Sequence, residues 1–213
     1  MPGMSANPDI FEHLHLPEES YKMHWLSWIK PHKKEPLSQY SQRLCENVKH
    51  DNVVLIGVSL GGLIVQEMSR FITVKRLVLI STVKSKYELP PYMRFGRYTK
   101  LYKVLPNGLA KHFKKLEALP IGKSFKTRLK LYERYVGPVD KSYLDWAIRE
   151  ILNWEQESPI PGSIHIHGDA DKIFPIKYIK DCYVVKGGTH IMIVNRFKWL
   201  NQYLPGLIGK GSL

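Results

Sequence analysis

The stretch from Asn52 to Phe71 constrains this chain more than any other. Val53-Val54-Leu55-Ile56 leads into Gly57-Val58-Ser59-Leu60-Gly61-Gly62, after which Leu63, Ile64, Met68 and Phe71 recur at helical spacing. An unbroken run of β-branched residues and Leu suits a strand buried on both faces, as in a parallel sheet. The three- and four-residue recurrence predicts an amphipathic helix. Gly-x-Ser-x-Gly between such a strand and such a helix is the context of a nucleophile elbow. The turn is sharp enough to hold the serine in a strained conformation. The flanking glycines keep side chains clear, and the serine oxygen is presented at the carboxyl edge of the sheet. The helix that follows offers N–H groups and a positive dipole end to a developing oxyanion. Taken alone, the same glycine-rich turn would also serve to bind phosphate or simply to pack.

Two further motifs follow predicted strands. One is His167-Gly168-Asp169-Ala170-Asp171-Lys172-Ile173-Phe174-Pro175, and the other is Gly187-Gly188-Thr189-His190. A serine hydroxyl is a poor nucleophile at neutral pH and needs an adjacent base, which in turn needs an orienting carboxylate. The chain supplies these groups in the order Ser, Asp, His, each at a strand end. Spacing alone leaves two carboxylates in the acid loop, Asp169 and Asp171. A turn residue bonding the backbone is the ordinary role for whichever is not used.

With these three motifs the chain resembles the α/β-hydrolase superfamily, and within it the small esterase-like members that carry a helical cap. The resemblance covers nearly all of the chain outside that cap. It implies a mostly parallel central sheet flanked by helices, with a core formed by residues 1–81 and 159–213. Residues 82–158 would be an inserted helical cap, beginning after the strand that follows the elbow helix. In the family pattern His-Gly-x-x-Asp the last residue is the acid, so the resemblance assigns Ser59 as nucleophile, Asp171 as acid and His190 as base. The implied reaction is hydrolysis of a carboxylic ester or thioester of a small molecule through an acyl-serine, with no cofactor and no metal. The oxyanion would be held by the backbone N–H groups of Leu60 and Met4. One departure stands out. Members usually carry His-Gly in an oxyanion loop after an early strand, whereas here Pro2-Gly3-Met4 opens the chain and the preceding strand is expected to be missing. That departure is the one feature favouring the alternative, a non-catalytic binding protein of the same fold.

The remaining pattern fits an α/β chain. A short helix is expected over 8–16, a strand over 21–26 and a helix from Leu37 to Val48. Strands are expected over 76–81, 163–168 and 182–185, and a closing helix over 191–203. Several helices separated by Pro-rich breaks fill 82–158. Cys45 and Cys182 read as ordinary thiols, too few for a disulfide framework.

The formal net charge is +13, and Lys84 to Arg134 alone holds 14 Lys or Arg against 3 Glu. No helix-turn-helix, RNA-binding or zinc-finger pattern accompanies this charge, so nucleic acid is not an expected partner. Solvated helix faces explain it most simply. Attraction of anionic substrates and contact with an anionic membrane surface are its functional readings. No apolar run approaches the roughly 18 residues needed to span a bilayer, and Met1 to Ser5 lacks the features of a signal peptide, so a cytoplasmic location is expected. His165, His167 and Asp169 spell H-x-H-x-D, part of a metallohydrolase motif. The further histidine with which that motif continues is replaced by Ala170, and His165 reads as a packed strand residue.

Overall fold

The computed structural model describes residues 1–99, 134–135, 137 and 140–210. Four short strands form its sheet: β1 (Val54–Val58), β2 (Arg76–Ile80), β3 (Ile164–Gly168) and β4 (Tyr183–Val185). Their order is β1-β2-β3-β4 and every pairing is parallel, with Gly57 opposite Leu79, Ile80 opposite Ile166 and Gly168 opposite Val185. Such pairing needs a crossover between successive strands. Between β1 and β2 it is the helix α2 (Leu60–Met68).

β2 shows why the strands read as continuous apolar runs. Leu77 and Leu79 enter one hydrophobic cluster, with Tyr40 and Leu44 of α1 (Leu37–Cys45) and Leu63, Ile64 and Met68 of α2. Val78 and Ile80 enter the other, with Ile164, Ile166 and Val185 and with Leu200, Leu204 and Leu207 of the last helix. Alternate side chains thus feed two cores, one on each face of the sheet.

Between β2 and β3 lie α3 (Pro91–Thr99) and α4 (Lys141–Asn153), which touch each other. α4 is capped by Asp140, whose Oδ1 accepts from Tyr143 N at 2.8 Å. Its Trp146 is buried in the first cluster and donates its indole N–H to Glu35 O at 2.8 Å. Residues 100–133, 136 and 138–139 of the expected cap lie outside the described residues.

Three expectations change. The 21–26 segment forms no strand. Its side chains find apolar partners, with Trp25 stacked on Phe11 at 5.4 Å and Tyr21 and Met23 against the second cluster, but its backbone meets no strand edge. The 8–16 helix is only a 3-10 turn over Pro8–Phe11. The closing helix is two: α5 (Met192–Asn195) and α6 (Phe197–Lys210). The break falls at Arg196, whose Nη2 is drawn to Gly187 O at 3.0 Å.

At the outer edge of β1, Met1 N–H donates to Ile56 O (2.7 Å) and Val58 N–H donates to Met1 O (3.1 Å). These two bonds flank Gly57 as those of a parallel neighbour do. They deliver Pro2-Gly3-Met4 to the carboxyl end of β1. Among the described residues no helix is long and apolar enough to cross a membrane.

Candidate active site

Ser59 joins β1 to α2 with φ 54° and ψ −122°, a backbone conformation costly for a side chain other than glycine. Close packing enforces it. A Cβ on Gly57 would stand 2.4 Å from Gly61 O, and one on Gly61 would stand 2.4 Å from both Met1 O and Pro2 O. Backbone atoms cannot yield to such contacts. Ser59 N donates to Ile80 O at 3.0 Å, and Thr82 Oγ1 donates to Ser59 O at 2.7 Å. The strained residue is thereby tied to the end of β2.

Asp171 and His190 arise at the ends of β3 and β4. Gly168 and Gly188 pack so closely that a Cβ on Gly168 would fall 2.1 Å from Gly188 O. Ala170 N donates to Gly188 O (2.9 Å), Asp169 N to Val185 O (3.3 Å) and Gly187 N to Asp169 Oδ1 (2.6 Å). The two loops are laced together by these bonds. Asp169 is the turn-bonding carboxylate, and Asp171 is the one that reaches His190.

Asp171 is buried. Its Oδ1 accepts from Ile173 N (2.8 Å) and Phe174 N (3.0 Å), and its Oδ2 faces His190 Nδ1 at 2.9 Å. Burial alone would raise its pKa. The bond and charge of His190, with the Phe174 N–H and His167, outweigh burial and hold the carboxyl below its ordinary range. His190 Nε2 lies 2.9 Å from Ser59 Oγ. A neutral imidazole donating from Nδ1 to a carboxylate leaves Nε2 as a bare acceptor, the tautomer that receives a serine proton. Phe174 meets the imidazole edge to face at 5.4 Å. Ser59 and His190 both remain partly open to solvent.

The sequence reading did not give His167 a part at this site. It is fully buried, its Nε2 lies 2.8 Å from Phe174 O, and it stands 3.4 Å from Asp171 Oδ2. Burial lowers its pKa, so it stays neutral. With Nε2–H donating to Phe174 O, its Nδ1 accepts from His165 Nε2 at 3.3 Å. His165 and His167 thus brace the acid loop from below. Their spacing on a strand was visible, but nothing in the sequence told which loop they would touch. H-x-H-x-D does not converge as ligands, because Asp169 turns to Gly187 N. Among the described residues no group of three or more His, Cys, Asp or Glu side chains is arranged to hold a metal ion.

Leu60 opens α2, so its N–H belongs to the first helical turn, where no intrahelical acceptor exists. Gly3 lies against Ser59, since a Cβ there would stand 3.2 Å from Ser59 Cβ and 3.8 Å from Ser59 Oγ. Met4 follows it directly, in a turn closed by Ala6 N donating to Gly3 O at 3.0 Å. Backbone from two separate segments therefore borders the serine oxygen. A cavity of about 360 Å³ at the other end of β3 and β4, lined by Ser163, His165, Cys182 and Tyr183 among others, includes none of these groups.

No protein-family model matches the sequence, and no curated protein matches it. Solved structures do match in shape. A thermophilic esterase from Thermogutta terrifontis superposes with a TM-score of 0.65 at 13% identity, over 100% of this chain and 89% of its own. A hydrolase from Pseudomonas aeruginosa PA01 gives 0.67 at 12% identity, over 98% and 88%. A bromoperoxidase from Bacillus anthracis gives 0.53 at 16% identity, over 98% and 91%. The four-stranded parallel sheet, the helices on both its faces and this likeness together establish that the chain has the α/β-hydrolase fold.

Proposed function

We propose that this protein is a serine hydrolase that cleaves a carboxylic ester or thioester of a small molecule. The observation that carries the reading is the unbroken relay from Ser59 Oγ to His190 Nε2 and from His190 Nδ1 to Asp171 Oδ2, both at 2.9 Å. A fold shared with esterases and a bromoperoxidase does not by itself choose a reaction. The relay favours acyl transfer.

In this reading His190 Nε2 takes the Ser59 proton as Oγ attacks the substrate carbonyl. A C–O bond forms, and the carbonyl electron pair moves onto oxygen, facing the N–H groups of Leu60 and Met4. His190 then gives its proton to the leaving alcohol or thiol as that bond breaks, leaving acyl-Ser59. Water, deprotonated by His190, releases the acid by the same steps. Asp171 holds the imidazole in the Nδ1–H tautomer and stabilises the imidazolium. Its lowered pKa suits that duty, since it is ionised throughout the neutral range.

Residues 82–158 act as the cap over this site. Tyr92 of α3 supports that role, its hydroxyl donating to Ile173 O at 2.9 Å beside the acid loop. A cytoplasmic setting belongs to the same reading.

Labelling by a fluorophosphonate probe tests it. The wild-type protein should label, and Ser59→Ala should not. If both are folded and neither labels, the chain is a binding protein on a hydrolase scaffold.

A further inference from the structure

The oxyanion loop is fastened by an unusual set of bonds from a distant part of the chain. Ser5 carries φ 63°, a left-handed conformation that glycine takes freely and serine does not. Its N–H donates to Tyr143 Oη at 3.2 Å, and its C=O accepts from Gly137 N at 2.9 Å. Two residues on, Asn7 N donates to Tyr135 O (2.8 Å) and Asn7 Nδ2 to Arg134 O (2.9 Å). Trp28 Nε1 donates to Ala6 O at 2.9 Å. Residues 5–7 are therefore clamped by Arg134, Tyr135, Gly137 and Tyr143, all within the expected insertion.

Tyr143 is the member of this clamp that touches the strained residue. Its ring is buried, edge-on to Trp28 at 5.1 Å, and its own backbone N–H is fixed by the cap of α4. Burial pushes its hydroxyl far above the usual phenol range, so it stays neutral at every working pH. Met4, whose N–H faces the oxyanion in the reading above, lies between Gly3, which abuts Ser59, and Ser5, which Tyr143 holds.

We infer that Tyr143 is a positioning residue for oxyanion stabilisation: its hydroxyl holds Ser5 in the left-handed conformation that aims the Met4 N–H at the reacting oxygen. The inference rests on the serine-hydrolase reading and adds a part to it. It also links the insertion to the chemistry, because residues within the insertion fix the donor loop.

The test compares Tyr143→Phe with the wild type in three measurements. These are hydrolysis of p-nitrophenyl butyrate, inhibition by an aryl trifluoromethyl ketone and thermal melting. The ketone adds to Ser59 and leaves an oxyanion, so its affinity reports the oxyanion donors. A whole donor is worth roughly 10²–10³ in rate, and a loosened one should cost about tenfold in kcat with KM little changed. Ketone affinity should weaken by the same factor. Ser5→Gly placed in the Tyr143→Phe background should recover part of both losses, since glycine needs no phenol to hold that φ. A merely structural tyrosine would not be rescued in this way. Should Tyr143→Phe alone fail to melt cooperatively, the double variant and Asn7→Ala carry the same readout, each expected to weaken ketone affinity. Unchanged ketone affinity in a folded variant, or no rescue by glycine, overturns the inference while the hydrolase reading stands. A wild type that neither labels with fluorophosphonate nor binds the ketone overturns both.

Discussion

Ser59 and its hydrogen-bonded partners Asp171 and His190 are held by different physics. Around Ser59 the constraint is steric. Gly57 and Gly61 bring backbone to backbone, and the positive φ of the serine follows from a turn with no room to relax. Around Asp171 and His190 the constraint is hydrogen bonding. Two backbone N–H groups fix one carboxylate oxygen, and three bonds lace the acid loop to the base loop. Packing positions an atom without regard to charge. Hydrogen bonds also decide which proton sits where, which the base must have and the nucleophile need not. The two regions should therefore fail differently when altered.

The largest effect should come from the sterically built side. Gly61→Ala places a methyl 2.4 Å from two main-chain oxygens that cannot move aside. It should cost at least about 3 kcal/mol and abolish a cooperative melt followed by circular dichroism. A stable Gly61→Ala protein would break the comparison at its root. Next comes Asp171→Asn, which should fold and yet lose on the order of 10⁴-fold in kcat, because Nδ1 no longer meets a carboxylate and the imidazole tautomer is lost.

Asp171→Asn also has a signature in stability against pH. The folded carboxyl titrates below its ordinary value, so the folded state binds fewer protons than the unfolded one in that range. The stability it contributes is complete above about pH 4, the unfolded carboxyl value, and is lost as pH falls through the lower folded value. The difference in melting temperature between wild type and Asp171→Asn should therefore shrink on acidification below about pH 4. A difference that grew would mean that burial, not the His190 bond, governs this carboxyl.

The same division explains what could be read from the sequence. Steric elbows leave a local signature, so Gly57-x-Ser59-x-Gly61 and the strand and helix around it were legible. So was the alternation of strands and helices that builds the parallel sheet. The choice of Asp171 over Asp169 needed a family pattern, because two carboxylates two residues apart differ only in the bonds that fold around them. Thr82 and Tyr143 carried no signal, since each acts on a partner more than twenty residues away that only the fold brings near. His167 opens the acid motif, but the bond it makes to Phe174 was not legible there. The 21–26 segment failed for the converse reason. Its apolar residues look strand-like, but they are satisfied by side-chain packing with no sheet edge beside them.

The smallest effects sharpen the comparison most, because they remove one hydrogen bond from each side. Asp169→Ala deletes the 2.6 Å bond to Gly187 N, a charge-assisted tie between the acid and base loops. Thr82→Val deletes the 2.7 Å bond to Ser59 O with little change of volume. Solvent exposure of Asp169 offsets the strength its charge adds, so the two should cost comparable amounts, about 1 kcal/mol each in stability. Their effects on rate should separate. The base loop depends on its lacing, so Asp169→Ala should lower kcat by up to about tenfold, the equivalent of roughly 1.4 kcal/mol at the transition state. The elbow is already held by Gly57 and Gly61, so Thr82→Val should leave kcat within about twofold while showing the same loss in melting temperature. Equal rate losses would mean that the serine is held by its hydrogen bonds as much as by its glycines. A larger loss in Thr82→Val would reverse the assignment of the two regions.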